Sequence, residues 1–192
     1  MPKTYADLLN PKWKDKMAWS NSISGWALMF TNIRMAMGEE KGTKYLEDLS
    51  KQNIALIASS PRTVVDRVIA GEYAMALNIF IHHPVLSAKK GAPVASQPLE
   101  PVPSILGTVM LPKNPPHPHA AMLLIDYLLS KDGQTRLKDA EYFPGRPDVP
   151  PITELEPLVP AKAGIKENYI SQEVSTADYP KAREIFQKYF QK

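Results

Sequence analysis

The chain has no cysteine among its 192 residues. This excludes thiolate catalysis, cysteine-ligated zinc and disulfide staples. It suits the cytosol, and equally a bacterial periplasmic protein that does not rely on disulfides. No apolar run approaches the roughly 20 residues that a membrane span needs. The opening stretch MPKTYADLLNPKW has neither an apolar h-region nor a small-residue cleavage site, so it does not read as a signal peptide. A net charge of +3, with no basic run interleaved with aromatics, gives no electrostatic footprint for nucleic acid. The catalytic signatures are missing as well. There is no GxSxG elbow, no HExxH, no phosphate-loop glycines in KNPPHP and no dinucleotide fingerprint in GTVMLPK.

Proline, in contrast, is abundant at 19 residues. It clusters at 98 to 118 and 144 to 160, where its fixed φ and missing amide donor favour extended connectors. These clusters divide the chain into three parts. Before them, helices alternate with strands. The serines of SNSIS (20 to 24) can cap the segment GWALMFTNIRMAM, whose Trp26, Met29, Phe30, Ile33 and Met37 recur at helical spacing until Gly38. TKYLEDLSKQ reads as an amphipathic helix and NIALIA (53 to 58) as a strand.

SSPRTVVDRVIAGE carries the clearest helix signature. Ser60 suits the N-cap, Pro61 the first helical position, Gly71 the residue after the end, and Val64, Val65, Val68 and Ile69 the buried face. YAMALNIF (73 to 80) reads as a strand and HHPVLSAKKG as a short helix. Strand, helix and strand in this order predict a βαβ unit and an α/β lobe. SILGTVML (104 to 111) reads as a further strand, followed by a helix from about Pro118 to Ser130. A last helix at DYPKAREIFQKYF has its apolar stripe at Ala182, Ile185, Phe186, Tyr189 and Phe190.

Four histidines are the only candidates for metal chemistry. His117 and His119 flank a proline before an apolar helix, where entry to that helix is the simpler reading. His82 and His83 are adjacent, and adjacent side chains in an extended strand point to opposite faces. A metal-dependent hydrolase would need all four to converge with a carboxylate that the spacing does not supply. Binding without chemistry has better support. SNSISG and ASSPRT each place clustered hydroxyls at a helix N-terminus, where free amides and a positive dipole end suit a small anion. Tyr73, Asn78 and Phe80 are candidate pocket walls on or at the end of a strand.

Four blocks then match a known pattern in order: TYADLLNPKWKDKMAW, VVDRVIAGEYAMALNIF, GTVMLPKNPPHPHAAMLLIDYLLSKDGQ and EYFPGRPDVPP. Together they resemble the periplasmic solute-binding proteins of ABC transporters, in the ferric-iron and thiamine branch. The resemblance implies an α/β fold: a type II periplasmic-binding lobe, a mixed sheet flanked by helices, with part of a second lobe. On it, 8 to 104 are the second lobe, 105 to 141 a strand and helix given to a largely missing first lobe, and 142 to 192 a segment packing back on the second lobe.

The resemblance further implies a ligand cleft lined by Ser20, Asn21, Ser22, Ser24, Ser59, Ser60, Asn78 and Phe80. It implies no cofactor, no catalysis, a membrane permease as partner and a periplasmic location. The ligand would be a small anion, a carboxylate or a metal-anion complex. Ferric-binding members carry adjacent tyrosines where this chain has Asn78, Ile79, Phe80 and Ile81, so phenolate coordination of iron is not expected, and only His82 and His83 remain as metal ligands. The matched blocks begin where a second lobe begins, which implies the C-terminal portion of a longer protein or a shortened relative. Apolar residues between 105 and 128 would then lack partners, which predicts a homodimer or an exchange of elements. A non-binding interaction module is the remaining alternative.

Overall fold

A computed structural model describes residues 1–191, except for the side chains of Ile23 and Ser24. The elements in chain order are β1 (Met17–Ser20), α1 (Ile23–Met37), α2 (Glu39–Ser50), β2 (Ala55–Ile57), α3 (Pro61–Ile69), β3 (Met75–Ala76) and α4 (His82–Lys89). They continue with β4 (Val102–Ser104), α5 (Pro118–Leu129), α6 (Lys131–Asp139), α7 (Pro160–Ala163), β5 (Glu167–Tyr169) and α8 (Gln172–Tyr189). The chain forms two compact units, one of Met1–Ile105 with Gly164–Lys192 and one of Leu106–Ala163.

In the first unit β1 lies between β2 and β3, and both pairings are parallel. The short second sheet pairs β4 with β5, again in parallel. The α/β class is the expected one, although the described pairings are all parallel where a mixed sheet was expected. Alternation along β1 decides which layer covers which face. Met17 and Trp19 join α1, α2 and α8 in the main core, while Ala18 joins Ile57 of β2 and Val64 of α3 in a smaller one. Helix α1 therefore covers one face of the sheet and α3 the other.

The main core is held by aromatic contact. Trp26 stacks on Phe186 at 4.3 Å between ring centroids, and Trp19 meets Phe30 and Phe190 at 5.7 and 5.0 Å. Each such pair contributes about 0.5–1.5 kcal/mol beyond its buried area. Polar ties fix the surrounding elements. Asn32, fully buried on α1, donates to the Tyr5 hydroxyl and the Pro101 carbonyl at 2.8 and 2.7 Å, and accepts from Asn168 of β5 at 2.9 Å. Burial pushes the Tyr5 phenol up to about 12. Arg34, almost fully buried, pairs with Asp178 of α8 and with Glu39 at 2.7 Å, and Thr31 also donates to Asp178 at 2.6 Å.

Several boundaries differ from the sequence reading. YAMALNIF contributes only two residues to the sheet, because Asn78 turns to a positive φ of 48° and ends the strand. SILGTVML is no strand beyond Ser104. Only Val102–Ser104 finds a partner among the described residues, and an unpaired strand leaves its main-chain groups without bonds. α8 starts six residues before the expected Asp178. Ser171 caps it by accepting from the Val174 amide at 3.3 Å, and Pro180 lies within the helix.

The second unit contains α5, α6 and α7. Ser130 ends α5 and caps α6, its hydroxyl accepting from the Gly133 amide at 3.1 Å. Gln134 donates to the Leu128 carbonyl at 2.7 Å and accepts from the Gly145 amide at 2.6 Å, fastening the following loop. α5 is apolar along most of its length, yet none of its side chains is buried.

Candidate functional site

Three parallel strands end side by side in the first unit, and the chain leaves them in opposite directions. After β1 it turns to α1 on one face, and after β2 to α3 on the other. In open α/β sheets this divergence at the carboxyl ends of strands leaves a crevice where ligands bind. The Ser20–Ser22 cluster stands at the end of β1, and the Ser59–Ser60 cluster follows β2.

Main-chain bonds set the rim. The Asn21 and Ser59 amides both donate to the Ile57 carbonyl, at 2.9 and 2.7 Å. The Ser20 hydroxyl donates to the Ser59 carbonyl at 2.6 Å and lies 3.0 Å from the Ser22 hydroxyl, while the Ser22 amide donates back to it at 3.2 Å. Ser20 is buried, so it joins the two loops from beneath. Asn21, Ser59 and Ser60 are exposed and Ser22 is half-buried. Ser24 lies in the first turn of α1, and its side chain is outside the described residues.

Each loop opens on a helix N-terminus. Ser22 stands at the N-cap of α1 in an extended conformation. Ser60 caps α3 as expected, accepting from the Thr63 amide at 3.3 Å, with Pro61 in the first turn. Ser59 donates to the Thr63 hydroxyl at 2.9 Å. Gly25, in the first turn of α1, was not singled out from the sequence. A Cβ there would lie 2.8 Å from the Ser20 carbonyl oxygen, so glycine lets the helix start pass over the end of β1.

A third loop follows β3. Asn78 is half-buried and its side-chain amide donates to the Gly25 carbonyl, which ties the end of β3 to the start of α1. Its left-handed φ is one that asparagine tolerates better than most residues. Phe80 is 42% exposed, with His82 and His83 around it at 5.9 and 6.1 Å between ring centroids. Tyr73, in contrast, packs against the smaller core.

The His82 and His83 rings are 4.2 Å apart in the first turn of α4, so they do not diverge as they would on an extended strand. Burial, then the neighbouring His82 and Arg62, hold His83 down at about 4, with Asp66 opposing. Arg62 locks this corner. It donates to the Ser87 hydroxyl at 2.8 Å, to the His83 carbonyl at 3.3 Å and to Asp66 at 2.7 Å. His117 and His119 lie in the other unit, at the entry to α5 with Pro118 in its first turn. Among the described residues, no three His, Cys, Asp or Glu side chains gather where they could hold a metal ion. No described helix is long and apolar enough to cross a membrane.

Residues 1–171 match the family model described as bacterial extracellular solute-binding protein. The chain belongs to that family. A periplasmic protein of Salmonella typhimurium, named for binding 2-aminoethylphosphonate, is 27% identical over 170 residues, which cover 80% of this chain and 48% of that protein. Among solved structures, the periplasmic binding protein P5PA superimposes with a TM-score of 0.70 at 21% identity, over 98% of this chain and 60% of its own. Iron-bound HitA of Pseudomonas aeruginosa gives a TM-score of 0.56 at 20% identity, over 96% of this chain and 61% of its own. At these identities the two structures share the fold, and the fold is the type II periplasmic-binding kind expected from the sequence. The chain spans about half the length of the curated relatives it matches.

Proposed function

We propose that the chain is the substrate-binding part of an ABC importer. It captures a small anion, free or carrying a metal ion, at the crevice bounded by Asn21, Ser22, Ser59, Ser60 and Phe80, and hands it to a membrane permease. One observation carries the reading: two helix N-termini, α1 and α3, open on the same strand ends, joined by the bond from Ser20 to Ser59. The positive ends of two helix dipoles stabilise negative charge there. The hydroxyls add donors that suit carboxylate, phosphate or phosphonate oxygens. The Salmonella relative's name favours a phosphonate or phosphate headgroup. Its periplasmic label supports the same location for this chain.

A thermal-unfolding screen against inorganic phosphate, 2-aminoethylphosphonate, succinate and ferric citrate tests the reading. A ligand at 100 times its dissociation constant adds about 2.7 kcal/mol. Stabilisation by one anion class supports capture and names the headgroup. No shift with any of the four counts against a working site on this chain.

A further inference from the structure

We propose, resting on anion capture at these strand ends, that Phe80 selects the ligand by its tail. The site takes an organic anion whose short hydrocarbon stem lies against the Phe80 ring, in preference to an inorganic ion. Phe80 sits on a loop pinned to both helix starts of the proposed site. On one side, the Asn78 side chain donates to the Gly25 carbonyl in the first turn of α1. On the other, Arg62, in the first turn of α3, donates to the His83 carbonyl at 3.3 Å and to the Ser87 hydroxyl at 2.8 Å. The His83 amide donates to the Phe80 carbonyl at 3.0 Å, which closes the loop on itself. Phe80 is therefore two residues from a bond to α1 and three from a bond to α3, and a chain reaches at most about 3.6 Å per residue.

The ring is fixed without being spent on packing. Ile79 packs against the smaller core, whereas Phe80 joins neither core cluster among the described residues. Two imidazoles set its orientation instead. His82 stacks on it with 22° between planes, and His83 meets it edge-on at 76°. The nearby Asp66 carboxylate is engaged by Arg62 at 2.7 Å. What the loop offers a ligand is ring surface, which suits hydrocarbon, next to helix starts that suit an anion. An ion without a stem gains nothing from this ring, while each methylene buried against it adds up to about four-fold in affinity.

Calorimetric titration of the full chain with two series of lengthening stem tests this. One runs from inorganic phosphate to methylphosphonate and propylphosphonate, the other from formate to acetate and butyrate. In the series that binds, affinity should rise about ten-fold over the last two methylenes. Phe80→Ser should flatten that rise and leave the affinity of the stemless ion unchanged. Phe80→Leu, which keeps an apolar side chain, should retain most of the rise. A stemless ion that binds with no rise along its series would overturn the proposal and leave anion capture standing. So would a rise that survives Phe80→Ser, or an equal loss for every ion in both variants, which is the mark of a purely structural role. Absence of binding in both series would overturn anion capture itself, and this inference with it.

Discussion

The hydroxyl of Ser20 donates to the main-chain carbonyl of Ser59 at 2.6 Å, joining two loops 39 residues apart in sequence. Ser20 is buried and Ser59 exposed, so the bond is partly shielded from water. Ser20→Ala should lower stability by about 1 kcal/mol, the usual net value of one such bond. It should weaken anion binding as well, since the Ser59 side of the crevice loses its anchor. Ser59→Ala, at an exposed side chain, should weaken binding with little effect on stability. Denaturant unfolding of both variants, beside their binding isotherms, separates the two effects.

Gly25 meets the Ser20 carbonyl at a distance that admits no side chain. Gly25→Ala should cost about 1–3 kcal/mol, as overpacking typically does. Helix propensity alone predicts the opposite sign, because alanine is favoured over glycine in a helix by roughly 1 kcal/mol. The direction of the shift in unfolding midpoint decides between them.

Asn78 combines a left-handed backbone with a bond to the Gly25 carbonyl. Asn78→Gly keeps the backbone and loses the bond, costing about 1 kcal/mol. Asn78→Val loses the bond and adds strain of about 1–3 kcal/mol. Unfolding midpoints should therefore fall in the order wild type, glycine, valine. Equal losses for the two variants would remove the backbone from the explanation.

His83 has a pKa depressed from 6.5 to about 4, chiefly by burial and then by His82 and Arg62, with Asp66 opposing. Between those values the unfolded chain binds the proton that the folded chain refuses. Its contribution to stability is therefore full above about 6.5 and is lost as pH falls towards 4. His83→Gln, which cannot take up a proton, should flatten the stability profile in that window. Urea midpoints measured across it would show the flattening, and an unchanged slope would assign the acid sensitivity to other groups.

Much of this arrangement was legible in sequence where local chemistry decides structure. Ser60, Pro61 and Gly71 marked α3 because a cap, a fixed φ and a left-handed residue act within one turn. Trp26, Met29, Phe30 and Ile33 marked the buried face of α1 through helical spacing. β1 was not legible. It is four residues long and buried throughout, so Met-Ala-Trp-Ser shows no alternation, and its place depends on partners nearly 40 and 60 residues away. α6 was missed because it is polar and its start rests on the Ser130 cap.

At the candidate site, the serine clusters were visible as types and positions, but their division of labour was not. That Ser20 lies beneath the rim while Ser59 and Ser60 face outward follows from the alternation of β1 against the smaller core, which only the pairing of β1 with β2 fixes. The packing of His82 on His83 depended in the same way on α4 beginning at His82, where neighbouring rings share a turn.

Calorimetric titration of the wild-type chain and of Ser59→Ala with inorganic phosphate and with 2-aminoethylphosphonate tests anion capture most directly. The account predicts saturable one-to-one heat for the wild type with at least one of the two anions. It predicts an affinity at least several-fold weaker for Ser59→Ala, with the fold intact. Absence of heat with both anions, or equal affinities for the two proteins, would contradict the placement of an anion site at these strand ends.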